Sequence, residues 1–131
     1  MRQYVLRSPS IGEEMLMDTK SHFLQGVYSF EGRGMTKPFL LDPELSYRVP
    51  SDKRSQLIYF RGGNSATELI YLIFMRDNKP MRYFPLGAKA AVHVQLAVVE
   101  DLLPDCRLDI LLAAPDKTVG AVVLDVGMIE I

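Results

Sequence analysis

Residues 92–100 read Val92-His93-Val94-Gln95-Leu96-Ala97-Val98-Val99-Glu100. Val92, Val94, Leu96 and Val98 share one parity; His93, Gln95 and Ala97 share the other. Successive side chains on an extended chain point to opposite faces, so this alternation predicts a β-strand with one buried face.

The same period extends outward in both directions. Downstream, Leu108, Ile110 and Leu112 predict an inward face with Asp109 opposite. Gly120–Ile131 places Val122, Leu124 and Val126 on one face and Asp125 on the other. Upstream, Leu45, Tyr47 and Val49 alternate with Ser46 and Arg48. Phe23–Phe30, Phe39–Leu41, Leu57–Arg61 and Met81–Leu86 are further strand candidates, rich in aromatic and branched residues. Glu68–Met75 is apolar on both parities, which predicts a central strand covered on both sides.

Turn formers separate these runs: Gly32-Arg33-Gly34, Asp42-Pro43, Pro50-Ser51-Asp52-Lys53, Gly62-Gly63-Asn64-Ser65, Asp77-Asn78-Lys79-Pro80, Leu103-Pro104-Asp105 and Ala114-Pro115-Asp116-Lys117. About eight strands with turn signals roughly every ten residues, and no long amphipathic helix, predict an all-β fold. The expectation is an antiparallel β-sandwich, with a β-barrel of cupin or jelly-roll type as the alternative. Residues 1–20, interrupted by Ser8-Pro9-Ser10 and Gly12, are read as an N-terminal arm with at most a short helix over Glu13–Lys20. Residues 21–131 are read as a single domain.

Composition limits the function classes. The chain is 48% hydrophobic and carries 15 basic against 16 acidic residues, a net charge of -1. That balance gives no general attraction to nucleic acid or to acidic membranes, so neither is expected as a partner. One cysteine, Cys106, cannot form an internal disulfide, which favours a reducing compartment. Glu13 and Glu14 interrupt the start of the chain, against a secretory signal. The longest apolar runs, Leu69–Met75 and Val92–Val99, fall well short of the roughly 20 residues that span a bilayer. These features predict a cytoplasmic protein.

Five residues are candidate ligand contacts: Arg61, Asn64, Arg82, Lys89 and His93. Arg61-Gly62-Gly63-Asn64-Ser65 joins a cation to glycine-rich backbone, a combination that suits a carboxylate or phosphate. It lacks a Walker lysine and the GxGxxG spacing, and a hairpin loop is the simpler account. Arg82-Tyr83-Phe84-Pro85-Leu86-Gly87-Ala88-Lys89 could frame an anion pocket, or be a strand ending in a bend. His93 follows shortly after. The histidines number two, His22 and His93, without HxH, HxxxH or CxxC spacing, so no metal and no cofactor is expected. A His22/His93/carboxylate centre is the variant that a cupin reading would need. No GxSxG elbow is present, and Glu100-Asp101 would point to opposite faces of a strand. No catalytic residue is assigned, and the chain reads more as a non-enzyme than as an enzyme.

Three segments carry a resemblance: Leu57-Ile58-Tyr59-Phe60-Arg61-Gly62-Gly63-Asn64-Ser65, Met81 through Leu102 with its Met81-Arg82-Tyr83-Phe84-Pro85-Leu86-Gly87-Ala88-Lys89 start, and Ala113-Ala114-Pro115 through Ile131. Together they resemble a small bacterial family of nitrogen-starvation response proteins encoded beside nitrilase-type gene clusters. The resemblance spans residues 38–131 and omits the arm. It implies a setting in nitrogen or nitrile metabolism, and implies no reaction and no catalytic residues. The expectation is therefore a non-enzymatic accessory or binding protein that associates with itself, because Leu69–Met75, Val99 and Leu111 need covering. The alternatives are a module or minor enzyme for a small anionic ligand, and a metal-dependent cupin-like protein.

Overall fold

Alternating apolar residues are buried on one side of each strand, and two sheets close over them. The computed structural model describes residues 19–131, and only the backbone of 97–100. Among the described residues there are nine strands: β1 (Lys20–Glu31), β2 (Gly34–Leu40), β3 (Tyr47–Arg48), β4 (Ser55–Asn64), β5 (Ile70–Arg76), β6 (Lys79–Leu86), β7 (Ala91–Leu102), β8 (Arg107–Ala114) and β9 (Val119–Glu130). One sheet has the order β1-β9-β4-β7, the other β2-β8-β5-β6, with β3 also paired to β8. All pairings are antiparallel. The chain is thus an antiparallel β-sandwich, and its strand order is that of a jelly roll: apart from β2–β3 and the β5–β6 hairpin, consecutive strands swap sheets, and sequence-distant strands become neighbours. The sheets do not merge into a closed barrel.

The inner faces are those the alternation marks. Leu108, Ile110 and Leu112 of β8 and Val122, Leu124 and Val126 of β9 are buried, as are Ile70, Leu72 and Phe74 of β5. Three rings from both sheets form the centre. Phe60 stacks on Phe84 at 4.4 Å, and Phe74 meets Phe60 and Phe84 edge-on at 5.5 and 4.9 Å. Such pairs add stabilisation beyond the area they bury. The outer side of β5 is also partly covered, with Ile73 buried and the Tyr71 hydroxyl donating to the Met35 carbonyl at 2.5 Å.

Two local expectations need correction. Gly62-Gly63 does not form a hairpin loop; both glycines lie inside β4, and the connection that follows crosses to the other sheet. Gly62 faces inward, where a Cβ would lie 2.5 Å from Phe60 Cζ, so the ring beneath it requires a residue without a side chain. The Leu45–Val49 alternation is real in burial, yet only Tyr47–Arg48 pair as a strand. Before them Pro43–Leu45 form a 3-10 turn capped by the Asp42 carboxylate, which accepts from the Glu44 N–H at 2.8 Å. The Asp77-Asn78 turn fits its sequence: φ values of 48° and 66° at two central residues suit a tight hairpin between Arg76 and Lys79. Lys20 already belongs to β1; the rest of the helix expectation over Glu13–Lys20, Thr19 apart, lies outside the described residues.

At one end of the sandwich a polar group is buried among the apolar ones. The Tyr47 hydroxyl donates to Glu130 at 2.6 Å and lies 2.5 Å from the Ser55 hydroxyl, while the His22 ring packs on Tyr47 at 4.6 Å. Burial, followed by the bond to Glu130, raises the Tyr47 phenol far above its ordinary range. A folded pKa raised above the unfolded one contributes stability below the unfolded value, near 10 for tyrosine, and that stability is lost as pH climbs past it. Denaturant midpoints should therefore fall above about pH 10, and Tyr47→Phe should make that decline shallower.

Candidate functional site

The outer face of the β1-β9-β4-β7 sheet carries three rows of side chains, each crossing all four strands. In β4 the register slips at Ile58, after which Tyr59, Arg61 and Gly63 face outward and Phe60, Gly62 and Asn64 inward. The central row is Gln25, Asp125, Arg61 and His93, each opposite the next. One row away stand Phe23, Gly127, Tyr59 and Gln95; on the other side stand Val27, Val123, Gly63 and Ala91.

The middle of this face is a shallow groove of about 650 Å³ lined by Arg61, Gly63, Ala91, His93, Val123 and Asp125, with Gly62 and Val92 below. Its floor is low because Gly63 and Ala91 are small. A Cβ on Gly63 would lie 3.8 Å from the Val123 Cβ and 3.9 Å from the Ala91 Cβ, which is ordinary contact. Packing therefore does not demand glycine here, in contrast to Gly62.

The polar row is held from the Asp125 side. Its Oδ1 accepts from Gln25 Nε2 and from the Tyr59 hydroxyl, both at 2.9 Å. Tyr59 lies flat over Gly127, where a Cβ would be 2.1 Å from its ring. Burial and the bond to Asp125 raise the Tyr59 phenol above its ordinary value, so it remains a neutral donor. The Arg61 guanidinium stands 4.0 Å from Asp125 Oδ2 and 5.1 Å from the Tyr59 ring centroid, and is exposed. His93 meets the same ring edge-on at 6.1 Å. Asp125 thus has two donors already, and the Arg61 guanidinium makes no direct hydrogen bond among the described residues. A guanidinium has five N–H donors in a planar fork, suited to a carboxylate or phosphate.

The five candidate residues do not form one site. Arg61 and His93 are cross-strand neighbours in the groove. Asn64, the next residue but two along β4 from Arg61, points into the core and is 4% exposed; its amide holds the Glu68, Leu86 and Gly87 carbonyls and the Ala66 N–H. Lys89 lies in the turn before β7, with φ 51° and its N–H on the Ala66 carbonyl. Arg82 is on β6 in the opposite sheet. The His22/His93 metal centre is also ruled out by position: His22 is on the inner face against Tyr47 and His93 on the outer face of the same sheet. No group of three potential metal ligands occurs among the described residues. Tyr59, Gly63, Val123 and Asp125 complete the groove. The outward parity of Asp125 is visible in sequence, but its place beside Arg61 depends on β9 lying next to β4.

No protein-family model matches this chain, and no curated protein matches it. Among solved structures it is similar to the carbohydrate-binding module CBM36 in complex with calcium and xylotriose, at 11% identity, with a TM-score of 0.49 over 81% of this chain and 97% of that one. It is similar to the CBM36-1 domain of a multidomain xylanase from the hindgut metagenome of Trinervitermes trinervoides, at 10% identity, TM-score 0.45, over 81% and 96% of the two chains. A structure of Bacillus endospore appendages, described as a family of disulfide-linked pili, aligns at 8% identity, TM-score 0.40, over 85% of this chain and 88% of that one.

Proposed function

We propose that this chain is a non-catalytic binding module that holds a small organic anion in the outer groove of the β1-β9-β4-β7 sheet. The observation that carries the proposal is the floor at Gly63, a glycine that neither φ nor packing requires, beside the unspent donors of Arg61. The anionic end would accept from Arg61 and His93. The apolar body would lie over Gly63, Ala91 and Val123. His93 and Asp125 are two strands apart with Arg61 between them, about 10 Å at ordinary strand spacing, too far to act as a coupled acid and base. A setting in nitrogen or nitrile metabolism is supported by the resemblance of residues 38–131 alone.

Benzoate is a suitable probe, since it joins a planar carboxylate to a flat apolar ring. Titrated into the protein, it should shift the amide resonances of Gly63, Ala91 and His93. At a tenfold excess over Kd it should stabilise the fold by about 1.4 kcal/mol. Gly63→Val should leave stability within about 1 kcal/mol and fill the floor, weakening benzoate at least tenfold. Arg61→Met should do the same by removing the donors while keeping the stem. No response of the wild type at millimolar benzoate, or full binding by both variants, would overturn the proposal.

A further inference from the structure

An edge strand exposes a row of unpaired N–H and C=O groups, and proteins normally block such rows with prolines, bulges or charges. Most edges of this sandwich are blocked. β6 carries Lys79, Pro80 and Pro85, and its register against β5 slips between Phe74 and Met75. β2 contains Lys37-Pro38, and its pairing with β8 is interrupted between Gly34 and Phe39. β7 loses register against β4 between Leu57 and Tyr59.

β1 has none of these devices. Its 12 residues pair with β9 in one unbroken register from Lys20 to Glu31, without proline, and its two charges are at the extreme ends. Among the described residues β9 is its sole strand partner. Its outward face presents Phe23 and Val27, 50% and 68% exposed, beside Val123 at 55%.

We infer that β1 is a self-association edge, at which two copies pair antiparallel into one continuous eight-stranded sheet. The strand is complementary to itself. A two-fold axis at Gln25 keeps outward residues opposite outward residues, as an antiparallel sheet requires. It sets Phe23 against Val27 of the second copy, and Val27 against Phe23, with Gln25 on Gln25 and Ser21 on Ser29. Inside, Leu24 meets Gly26 and His22 meets Tyr28. Lys20 falls opposite Phe30, so no like charges are opposed. Such an interface is isologous and closes at two copies.

Light scattering on the full chain should give twice the monomer mass of 14.8 kDa at micromolar concentration. Phe23→Lys/Val27→Lys places lysine opposite lysine twice at exposed positions, and should return the mass to that of a monomer with an unchanged circular dichroism spectrum. A second variant fixes the register. Gln25→Cys brings two thiols together across the axis at a Cα separation of about 4.5–5.5 Å, within disulfide reach. It should cross-link on mild oxidation. Ser29→Cys sets its two thiols about 27 Å apart, eight residues along the strand, and should not link; the native Cys106 is buried. A wild-type monomer, including one whose own residues 1–18 cover the edge, a dimer indifferent to the lysines, or cross-linking by Ser29→Cys in place of Gln25→Cys would overturn the inference.

Discussion

Asn64→Asp should lose most of its folding stability at neutral pH and recover part of it in acid. The Asn64 side chain is buried, and its Nδ2 donates to the carbonyls of Glu68, Leu86 and Gly87 at 2.9, 3.2 and 3.1 Å. Its Oδ1 accepts from the Ala66 N–H at 2.9 Å. This one amide ties the β4–β5 connection to the turn before β7. Aspartate has nearly the same shape but replaces the donor by a second acceptor, so a charged oxygen would face carbonyl oxygens in a dry site. The expected cost is about 4 kcal/mol, the scale of a buried charge without a partner. Asn64→Ala, which only leaves partners unsatisfied, should cost about 2 kcal/mol. The sign of the pH effect follows from the repulsion. Burial and the carbonyls would hold the new carboxyl above the ordinary value of about 3.9, so it destabilises above its folded pKa. The deficit shrinks as pH falls through that value, because the protonated group regains one donor. Urea melts of both variants and the wild type at about pH 7 and about pH 5 test this. Wild-type stability of Asn64→Asp at neutral pH would refute the role assigned to the amide.

Gly32→Ala is the second change of large expected effect. Gly32 is the corner between β1 and β2. Its N–H donates to the Thr118 carbonyl at 2.7 Å, and its carbonyl accepts from the Lys117 N–H at 2.9 Å. A Cβ there would lie 2.1 Å from the Pro115 carbonyl oxygen and 2.9 Å from the Ala114 Cβ. The obstacle is backbone, its carbonyl held by the Thr118 N–H at 3.0 Å across the β8–β9 turn, and cannot swing aside as a flexible side chain would. The corner must open or the β8–β9 connection must move, at a cost of roughly 3 kcal/mol. At about 4 °C per kcal/mol for a domain of this size, Tm should fall by on the order of 12 °C. Gly63→Val, with only ordinary contacts around its new side chain, is the internal control. Equal Tm values for the two variants would show that the close approach at Gly32 is not rigid.

These positions also show what a reader of the sequence could see. The inner faces of β7, β8 and β9 follow from parity, because Val92, Val94 and Leu96, then Leu108, Ile110 and Leu112, then Val122, Leu124 and Val126 recur at every second position, with His93, Asp109 and Asp125 on the opposite parity. Gly62-Gly63 misleads, because glycine usually marks a turn. It sits within a strand here because the Phe60 ring occupies the space a Gly62 side chain would need, a fact about packing between sheets. Arg61 and His93, grouped as ligand candidates from sequence, are cross-strand neighbours. Asn64 is two residues beyond Gly62 on the same inward parity, so the strand assignment alone decides that it faces the core. Arg82 and Lys89 are close to His93 in sequence but not across the sheet. Asp125, the residue that organises the polar row, is more than sixty positions from Arg61, and only the jelly-roll strand order makes them neighbours.

That strand order also sets a timetable for synthesis. β1 is completed at Glu31, and its partner β9 begins at Val119. A ribosome adding roughly 5–20 residues per second keeps β1 waiting on the order of ten seconds. During that interval the long proline-free strand has no ladder to join within its own nascent chain, while β5 and β6 can already form their hairpin. Soluble yield should therefore respond more to chaperone supply during translation than to the stability of the finished sandwich.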